Sequence, residues 1–220
     1  MRRLMSRRWL SERRREPYHR MAKERGYRSR AAFKIKQLNQ RFGFFKGARY
    51  VLDLGAAPGG WLQAASEEIG GDGLIVGVDP SSIKPLDLGN VRTIVGDVTD
   101  EDTLKQIRDA FPGPVDVVLS DMAPSVSGVW EVDQLRQIHL ARRALRIAES
   151  LLKPDGWLVV KAFQGSDYEG FLEEVRQMFT YVKAVKPMSS RKRSAEVYVV
   201  ARGLKPDRRV DVGSAHIGWA

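Results

Sequence analysis

The chain has 220 residues, of which 43% are hydrophobic and 29% charged, with a formal net charge of +10 at pH 7 and no cysteine. This length suits one well-buried domain with appendages, and no apolar run approaches the roughly 20 residues of a membrane-spanning helix. The lack of cysteine excludes disulfides and thiolate metal sites. The three histidines, His19, His139 and His216, are scattered along the sequence, so we expect no metal.

The excess positive charge is concentrated at the N-terminus. Residues 1–30 contain 12 Lys/Arg and 3 Glu, a net charge of +9, whereas residues 31–220 contain 25 Lys/Arg and 24 Asp/Glu, a net charge of +1. Arginines interleaved with Trp9, Tyr18 and Tyr27 suit phosphate pairing and base stacking, so we interpret residues 1–30 as a nucleic-acid-binding arm. A solubilising tail or a membrane-surface patch is the alternative. The segment lacks the apolar stretch of a secretory signal, which predicts a cytoplasmic protein.

From Tyr50 onward, short β-branched runs alternate with segments of helical length, a pattern typical of βαβ units. It predicts an α/β fold, a three-layer αβα sandwich around a mostly parallel sheet. The predicted strands are 50–54, 74–79, 91–95, 115–120, 157–162, 184–186 and 195–201. The predicted helices are 30–42, 60–69, 103–110, 132–152 and 168–179.

The longest predicted helix, 132–152, has apolar residues at helical spacing, so we expect one face of it to pack on the sheet. These residues are Val132, Leu135, Ile138, Ala141, Leu145, Ala148 and Leu152. The sequence Lys153-Pro154-Asp155-Gly156 predicts a turn into the next strand.

Residues 51–61 have the form of a buried strand, a small-residue turn and the start of a helix. Ligands of doubly wound folds bind at the carboxyl ends of such strands, where Gly55 and Gly59 allow a close backbone approach. A dinucleotide-binding loop would need glycine where Ala57 stands, and Pro58 would disturb the helix entry. The turn therefore predicts a nucleotide-like ligand other than NAD or FAD.

Aspartates follow the next two predicted strands. Asp79 comes 20 residues after Gly59, at a position from which a carboxylate accepts hydrogen bonds from ribose hydroxyls. Asp97 ends the following strand and could accept a hydrogen bond from an adenine amine. Each aspartate alone could be a helix cap or turn residue, but their shared sheet edge favours a ligand site.

Charged residues with catalytic potential lie at further strand ends and on a helix. Asp121 ends the fourth strand, and Lys161 ends the fifth in an apolar run, where a desolvated lysine can act as a neutral general base. Glu196 begins the last strand, and a structural ion pair with Lys161 is the alternative. Lys34 lies at the border of the apolar stripe of helix 30–42, where it either reaches a cleft or snorkels to solvent.

Five segments of the chain resemble the FtsJ/RrmJ-type family of ribosomal RNA 2′-O-ribose methyltransferases. These segments, within a resemblance that spans about residues 17–201, are 29–34, 52–61, 120–124, 161–165 and 194–198. The resemblance implies a catalytic tetrad of Lys34, Asp121, Lys161 and Glu196. It also implies a Rossmann-like methyltransferase fold whose seven-stranded sheet has an antiparallel last strand. The residues that would contact S-adenosylmethionine are Gly55, Gly59, Trp61, Asp79, Asp97 and Asp121.

The resemblance implies methylation of a ribose 2′-hydroxyl, at a uridine of large-subunit (23S-type) ribosomal RNA, by a monomer acting on the large subunit. Lys161 would be the general base, and Lys34 and Glu196 would tune it. A transfer-RNA or cap 2′-O-methyltransferase, or a non-catalytic RNA-binding module, is the alternative. We divide the chain into a basic RNA-binding arm (1–30), a methyltransferase domain (31–201) and a C-terminal tail (202–220).

Overall fold

The computed structural model describes residues 17–190 and 194–206, which form helices on both faces of one seven-stranded sheet. The helices are α1 (Pro17–Glu24), α2 (Ala31–Phe42), α3 (Gly60–Ile69), α4 (Glu101–Ala110), α5 (Trp130–Leu151) and α6 (Tyr168–Met178). The strands are β1 (Tyr50–Leu54), β2 (Leu74–Asp79), β3 (Val91–Val95), β4 (Val115–Ser120), β5 (Leu152–Phe163), β6 (Phe179–Val185) and β7 (Glu196–Leu204). Within these described ranges, no helix is long and apolar enough to cross a membrane.

The strand order is β3-β2-β1-β4-β5-β7-β6. Strands β1 to β5 pair in parallel, whereas β7 is antiparallel to both β5 and β6. This confirms the predicted α/β class and the antiparallel last strand that begins at Glu196. The chain moves outward from β1 to β3 and then returns to place β4 on the other side of β1. The carboxyl ends of β1 and β4 therefore border the crevice in which doubly wound folds bind ligands.

The core lies on both faces of the sheet because side chains alternate along each strand. On β1, Leu52 and Leu54 belong to the cluster packed under α4, α5 and α6, whereas Val51 belongs to the cluster under α1, α2 and α3. On β7, Val199 and Tyr198 divide in the same way. Both faces are covered, which explains why the strands read as continuous apolar runs.

Residues 17–30 include structure that the sequence did not predict. Helix α1 forms within the segment assigned to the arm, and Ala22 and Tyr27 are buried against α2. The Tyr27 hydroxyl donates a hydrogen bond to Glu67 at 2.6 Å. The hydrophobic pattern did not predict α1 because Ala22 alone among its eight residues is buried. The rest of the predicted arm (1–16), the basic run 191–193 and the tail from 207 lie outside the described residues.

The last three strands differ from their predicted bounds. Strand β5 begins at Leu152, before the predicted turn at 153–156. In its pairing with β4, Leu152 lies opposite Val115 and Trp157 opposite Val117, so residues 153–156 form an irregularity within the strand. Strand β6 begins at Phe179, and its mostly exposed edge position gives it little apolar signal. Strand β7 runs to Leu204, so the first residues assigned to the tail belong to the sheet.

The predicted inner face of α5 is partly wrong. Ile138, Ala141, Leu145 and Ala148 are buried as expected, but Val132 and Leu135 are exposed. The polar side chains of Asp133, Gln134 and Gln137 are buried in their place. At about 100° per residue, Gln134 and Gln137 lie on the same helix face as Ile138, whereas Val132 and Leu135 lie outside it. The buried face therefore continues through polar residues in the first turns of α5.

Asp116 ties the start of β1 to β5 from its place on β4. Its carboxylate accepts hydrogen bonds from the backbone N–H groups of Arg49 and Tyr50, each at 2.8 Å, and lies 2.6 Å from the Lys153 ammonium. Burial raises the pKa of Asp116, but the hydrogen bonds from Lys153, Tyr50 and Arg49 outweigh it and lower the pKa below its ordinary value.

We expect Asp116→Asn to lower the free energy of unfolding at pH 7 by about 1–3 kcal/mol, because the buried acceptor loses its charge. A lowered folded pKa stabilises the protein above the unfolded pKa of about 3.9, and this contribution disappears as pH falls. Urea unfolding should therefore show a smaller difference between wild type and variant below about pH 4. Asp155→Asn, at an exposed carboxylate 3.7 Å from Lys153, is the matched control. An equal loss at both pH values would contradict this explanation.

Candidate active site

The candidate site lies where the carboxyl ends of β1 and β4 meet. Gly55 follows β1 and Asp121 follows β4, and the Asp121 backbone N–H donates a hydrogen bond to the Leu54 carbonyl at 3.1 Å. A Cβ atom on Gly55 would lie 2.9 Å from the backbone of Met122, and Gly55 has a φ of +78°. Only glycine allows the two backbones to approach this closely. The two turns therefore form one small-residue floor.

The four tetrad residues predicted from the sequence lie together as two ion pairs. The Lys34 ammonium is 2.7 Å from a Glu196 carboxylate oxygen, and the Lys161 ammonium is 3.0 Å from an Asp121 carboxylate oxygen. Lys161 also donates a hydrogen bond to the backbone carbonyl of Asp121. Both lysine residues are buried. The alternative pairing considered from the sequence, Lys161 with Glu196, is not the arrangement found.

Tyr198 joins the two ion pairs. Its hydroxyl accepts a hydrogen bond from Lys34 at 3.1 Å and donates one to Asp121 at 2.7 Å. The result is a continuous chain of contacts from Glu196 to Lys161. The sequence analysis did not assign Tyr198 to the site. The signal was present, because Tyr198 lies two residues after Glu196 on β7 and so points to the same face of the sheet.

The site gives Asp121 and Tyr198 opposite tendencies to ionise. Burial raises the pKa of Asp121, but the charges of Lys161 and Lys34 and the hydrogen bond from Tyr198 outweigh it, so the pKa is lowered. For Tyr198, burial and the carboxylates of Asp121 and Glu196 all raise the pKa well above its ordinary value. At neutral pH, Asp121 is therefore a carboxylate and Tyr198 a protonated donor.

Each end of this chain of contacts is fixed by further hydrogen bonds. Ser190 donates its hydroxyl proton to Glu196 at 3.0 Å. The Gln137 amide on α5 donates to the Lys161 backbone carbonyl at 3.0 Å. These bonds come from two other elements of the fold, so the charged side chains are oriented before any substrate arrives.

Asp79 and Asp97 lie at neighbouring strand ends, as predicted. Asp79 accepts hydrogen bonds from the backbone N–H groups of Ala57 at 3.1 Å and Ser81 at 2.8 Å, which links the turns after β1 and β2. Asp97 is exposed and accepts from the N–H and hydroxyl groups of Thr99. Those hydrogen bonds lower the pKa of Asp97, which is therefore a carboxylate with spare lone pairs.

Trp61 is placed as a support of the site. It is buried on α3, its indole N–H donates a hydrogen bond to the Ala31 carbonyl at 2.8 Å, and its ring lies 5.8 Å from the Tyr198 ring. Gly59, the residue before α3, has a φ of +108° and gives the helix its entry. The Trp61 N–H is thus engaged within the protein, while its ring braces Tyr198.

Asp53 is a further acidic residue at this edge, on β1 itself. It is fully buried, and neither carboxylate oxygen has a hydrogen-bond partner among the described residues. Burial, together with the charges of Asp121 and Asp79, raises the pKa of Asp53 well above its ordinary value. Burial at this position therefore favours the protonated form of Asp53. Among the residues that the structure describes, no group of acidic or histidine side chains is arranged to hold a metal ion.

Arg28 connects the segment before α2 to two turns of the site. Its guanidinium donates hydrogen bonds to the backbone carbonyl of Pro58, in the turn after β1, and to those of Lys84 and Pro85, in the segment after β2. Its backbone N–H donates to Gln63 on α3 at 2.8 Å. Sequence reasoning counted Arg28 only as one arginine of the basic arm. The structure shows it as a brace between two turns.

Comparisons with known proteins agree with this architecture. The family model of FtsJ-like methyltransferases matches residues 27–204. A protein of Methanothrix thermoacetophila named ribosomal RNA large subunit methyltransferase E is 52% identical over 85% of this chain and 72% of its own length. A protein of the same name from Methanobrevibacter smithii is 44% identical over 93% of this chain and 97% of its own length.

The fold matches a solved structure as well. A crystal structure described as a ribosomal RNA methyltransferase from Plasmodium falciparum superposes with a TM-score of 0.71 at 26% sequence identity, over 81% of this chain and 98% of that one. The family match covers the sheet and every charged residue of the site. This chain therefore belongs to the FtsJ-like methyltransferase family and is a methyltransferase.

Proposed function

We propose that this enzyme transfers a methyl group from S-adenosylmethionine to a ribose 2′-hydroxyl of large-subunit ribosomal RNA, at a uridine as the family resemblance implies. The observation that carries the proposal is the connected set of Lys34, Asp121, Lys161 and Glu196 beside a small-residue turn. The names of the archaeal relatives support ribosomal RNA as the substrate. A monomer that acts on the large subunit in the cytoplasm belongs to the same proposal.

The residues around the turn fit S-adenosylmethionine. Asp79 would accept hydrogen bonds from its ribose hydroxyls, and Asp97 from its adenine amine, since the two residues follow the neighbouring strands β2 and β3 at the same sheet edge. Gly55 and Gly59, both with positive φ angles, let the turn pack closely on Met122 and Leu86 next to these carboxylates. When bound, the cofactor supplies a methyl group on a positively charged sulfur, which is already reactive towards a nucleophile.

The chain's own task is to orient the ribose hydroxyl and remove its proton. A hydroxyl is a poor nucleophile at neutral pH, so positioning and proton removal lower the barrier. Lys161 first releases its own proton to solvent and then, as the neutral amine, accepts the hydroxyl proton at Nζ. The Asp121 carboxylate beside it stabilises the ammonium that forms. Lys34 and Glu196 neutralise each other and, through Tyr198, hold Asp121 in place.

RNA binding by the N-terminal arm completes the proposal. Of its residues that the structure describes, Arg20, Lys23 and Arg25 are exposed on and just after α1. Exposed cations next to the domain suit contacts with the phosphate backbone, which supply affinity without reading sequence. A transfer-RNA or cap substrate would use the same chemistry, so the nature of the RNA needs its own test.

We expect labelled methyl donor to label large ribosomal subunits or their RNA, at a site that resists alkaline cleavage. A 2′-O-methyl group removes the hydroxyl that alkali uses to cleave the chain, so resistance reports the modified atom. Transfer RNA, capped RNA and small subunits are the parallel substrates. Label in transfer RNA alone would overturn the ribosomal target, and label at alkali-sensitive positions would overturn the 2′-hydroxyl.

We expect Lys161→Ala to lower kcat by about 10²–10⁴, the usual contribution of general acid–base catalysis. The expected reason is the loss of the proton acceptor, so the variant should still bind S-adenosylmethionine in a calorimetric titration, which also shows that it is folded. Lys183→Ala, at an exposed lysine on β6, is the control and should retain full activity. Wild-type turnover by a folded Lys161→Ala protein would refute the assignment.

We expect Arg28→Ala to weaken S-adenosylmethionine binding about tenfold, because hydrogen bonds from a charged group to backbone carbonyls are worth roughly 1.5–3 kcal/mol. Arg28→Lys should recover only part of this loss, since one ammonium cannot match a planar fork with several donors. Calorimetry measures both dissociation constants. Arg20→Ala, at an exposed arginine on α1, is the matched control. Equal affinities in all four proteins would show that Arg28 does not shape the cofactor site.

A further inference from the structure

Large apolar side chains are exposed next to the candidate active site. The segment between β4 and α5 and the first turns of α5 expose Val126 by 82%, Val129 by 52%, Trp130 by 46% and Leu135 by 50%. An exposed tryptophan among other exposed apolar side chains is typical of a surface that binds something. All four come from one stretch of ten residues, 126–135, which is here called the patch.

One residue of the patch, Trp130, belongs to a stacked aromatic pair. The rings of Trp130 and Phe163 lie 5.9 Å apart between centroids, with an angle of 19° between their planes. Phe163 is half-buried and Trp130 is the more exposed of the two. A tryptophan supported from one side by a parallel ring and open to solvent presents a flat apolar surface.

This surface begins where the catalytic residues end. Phe163 lies two residues after Lys161 on β5, on the same face of the strand and about 7 Å along it. In the sheet, Phe163 is also the direct partner of Glu196 on β7. The stacked pair therefore flanks the Lys161 side of the site, within a nucleotide or two of a ribose held there.

The loop that presents Trp130 is held in place by buried polar contacts. The Asp133 carboxylate accepts hydrogen bonds from the Ser127 N–H at 2.8 Å, the Ser127 hydroxyl at 2.7 Å and the Gly128 N–H at 3.2 Å. The Gln134 amide donates to Ser166, in the loop after β5, at 2.6 Å. A preorganised surface loses little conformational entropy when a ligand binds.

We propose that Trp130, supported by Phe163, stacks on a nucleobase of the RNA substrate close to the methylated ribose. The inference rests on the proposed function and deepens it, because it assigns a base-binding surface to the same site. RNA is favoured over a protein partner because the flat face borders the reacting ribose and aromatic rings bind unstacked bases. The chain also carries a net charge of +10, which attracts RNA.

The test measures methylation of a short RNA that contains the target nucleotide. Stacking of a base on an aromatic ring is worth roughly 1–3 kcal/mol, so Trp130→Ala should raise KM for this RNA about tenfold. Trp130→Phe should recover most of the affinity, since it keeps a ring. Affinity for S-adenosylmethionine should stay unchanged in both variants. Tyr181→Ala, at an exposed aromatic residue on β6, is the matched control.

A second series identifies the base. RNAs with one abasic nucleotide at each position around the target are methylated by wild type and by Trp130→Ala. At the stacked position, removal of the base should weaken methylation by wild type but not by Trp130→Ala. At every other position, the effect of the abasic nucleotide and the effect of the substitution should add. Additive losses everywhere, or an unchanged KM in Trp130→Ala, would overturn the proposal. A defect of Trp130→Ala only on assembled subunits, with naked RNA unaffected, would overturn it in favour of a protein contact.

The proposed function is judged separately by wild-type protein. If wild type methylates no RNA at its 2′-hydroxyl, both proposals fail. If wild type methylates the RNA and the Trp130 variants behave like it, only the stacking surface fails.

Discussion

The active site depends on one hydroxyl group that connects two buried ion pairs. Tyr198 accepts a hydrogen bond from Lys34 and donates one to Asp121, so the position of each pair restrains the other. Removing one partner of a buried ion pair costs about 3–5 kcal/mol, because a charge remains without compensation. Such a network tolerates little displacement, and this rigidity holds Lys161 in one orientation, as the proposed proton transfer requires.

Two aspartates at the same sheet edge have pKa values shifted in opposite directions. Asp53 lies on β1, and Asp121 follows the neighbouring strand β4. The Asp53 carboxyl group has no hydrogen-bond partner among the described residues, whereas Asp121 contacts Lys161 and Tyr198. Burial therefore raises the pKa of Asp53, whereas the charges of Lys161 and Lys34 lower the pKa of Asp121. Of these two carboxyl groups, Asp121 is the one that is paired with Lys161.

Strand and motif patterns predicted the sheet and its charged edge well, because the carboxyl ends of parallel strands lie at the same edge of a sheet. The prediction failed for elements whose position depends on contacts that leave little trace in the hydrophobic pattern. Helix α1 has little apolar surface, and β6 is an exposed edge strand. Arg28 binds backbone carbonyls, which no sequence motif records. Tyr198 was overlooked for another reason. Its apolar strand predicted burial, and its place on the same face as Glu196 was not used, although Tyr198 contacts two charged groups there.

Periodicity also failed at the start of α5, and the failure is informative. An apolar stripe reports that a helix face avoids water, but it does not report what covers that face. At about 100° per residue, Val132 and Leu135 fall outside the face that Ile138, Ala141 and Leu145 share, whereas Gln134 and Gln137 fall on it. These two amides are buried because they donate to polar partners, Ser166 and the Lys161 carbonyl, which no apolar pattern records. Val132 and Leu135 are exposed in the same first turns as Trp130, on the surface proposed to meet the substrate.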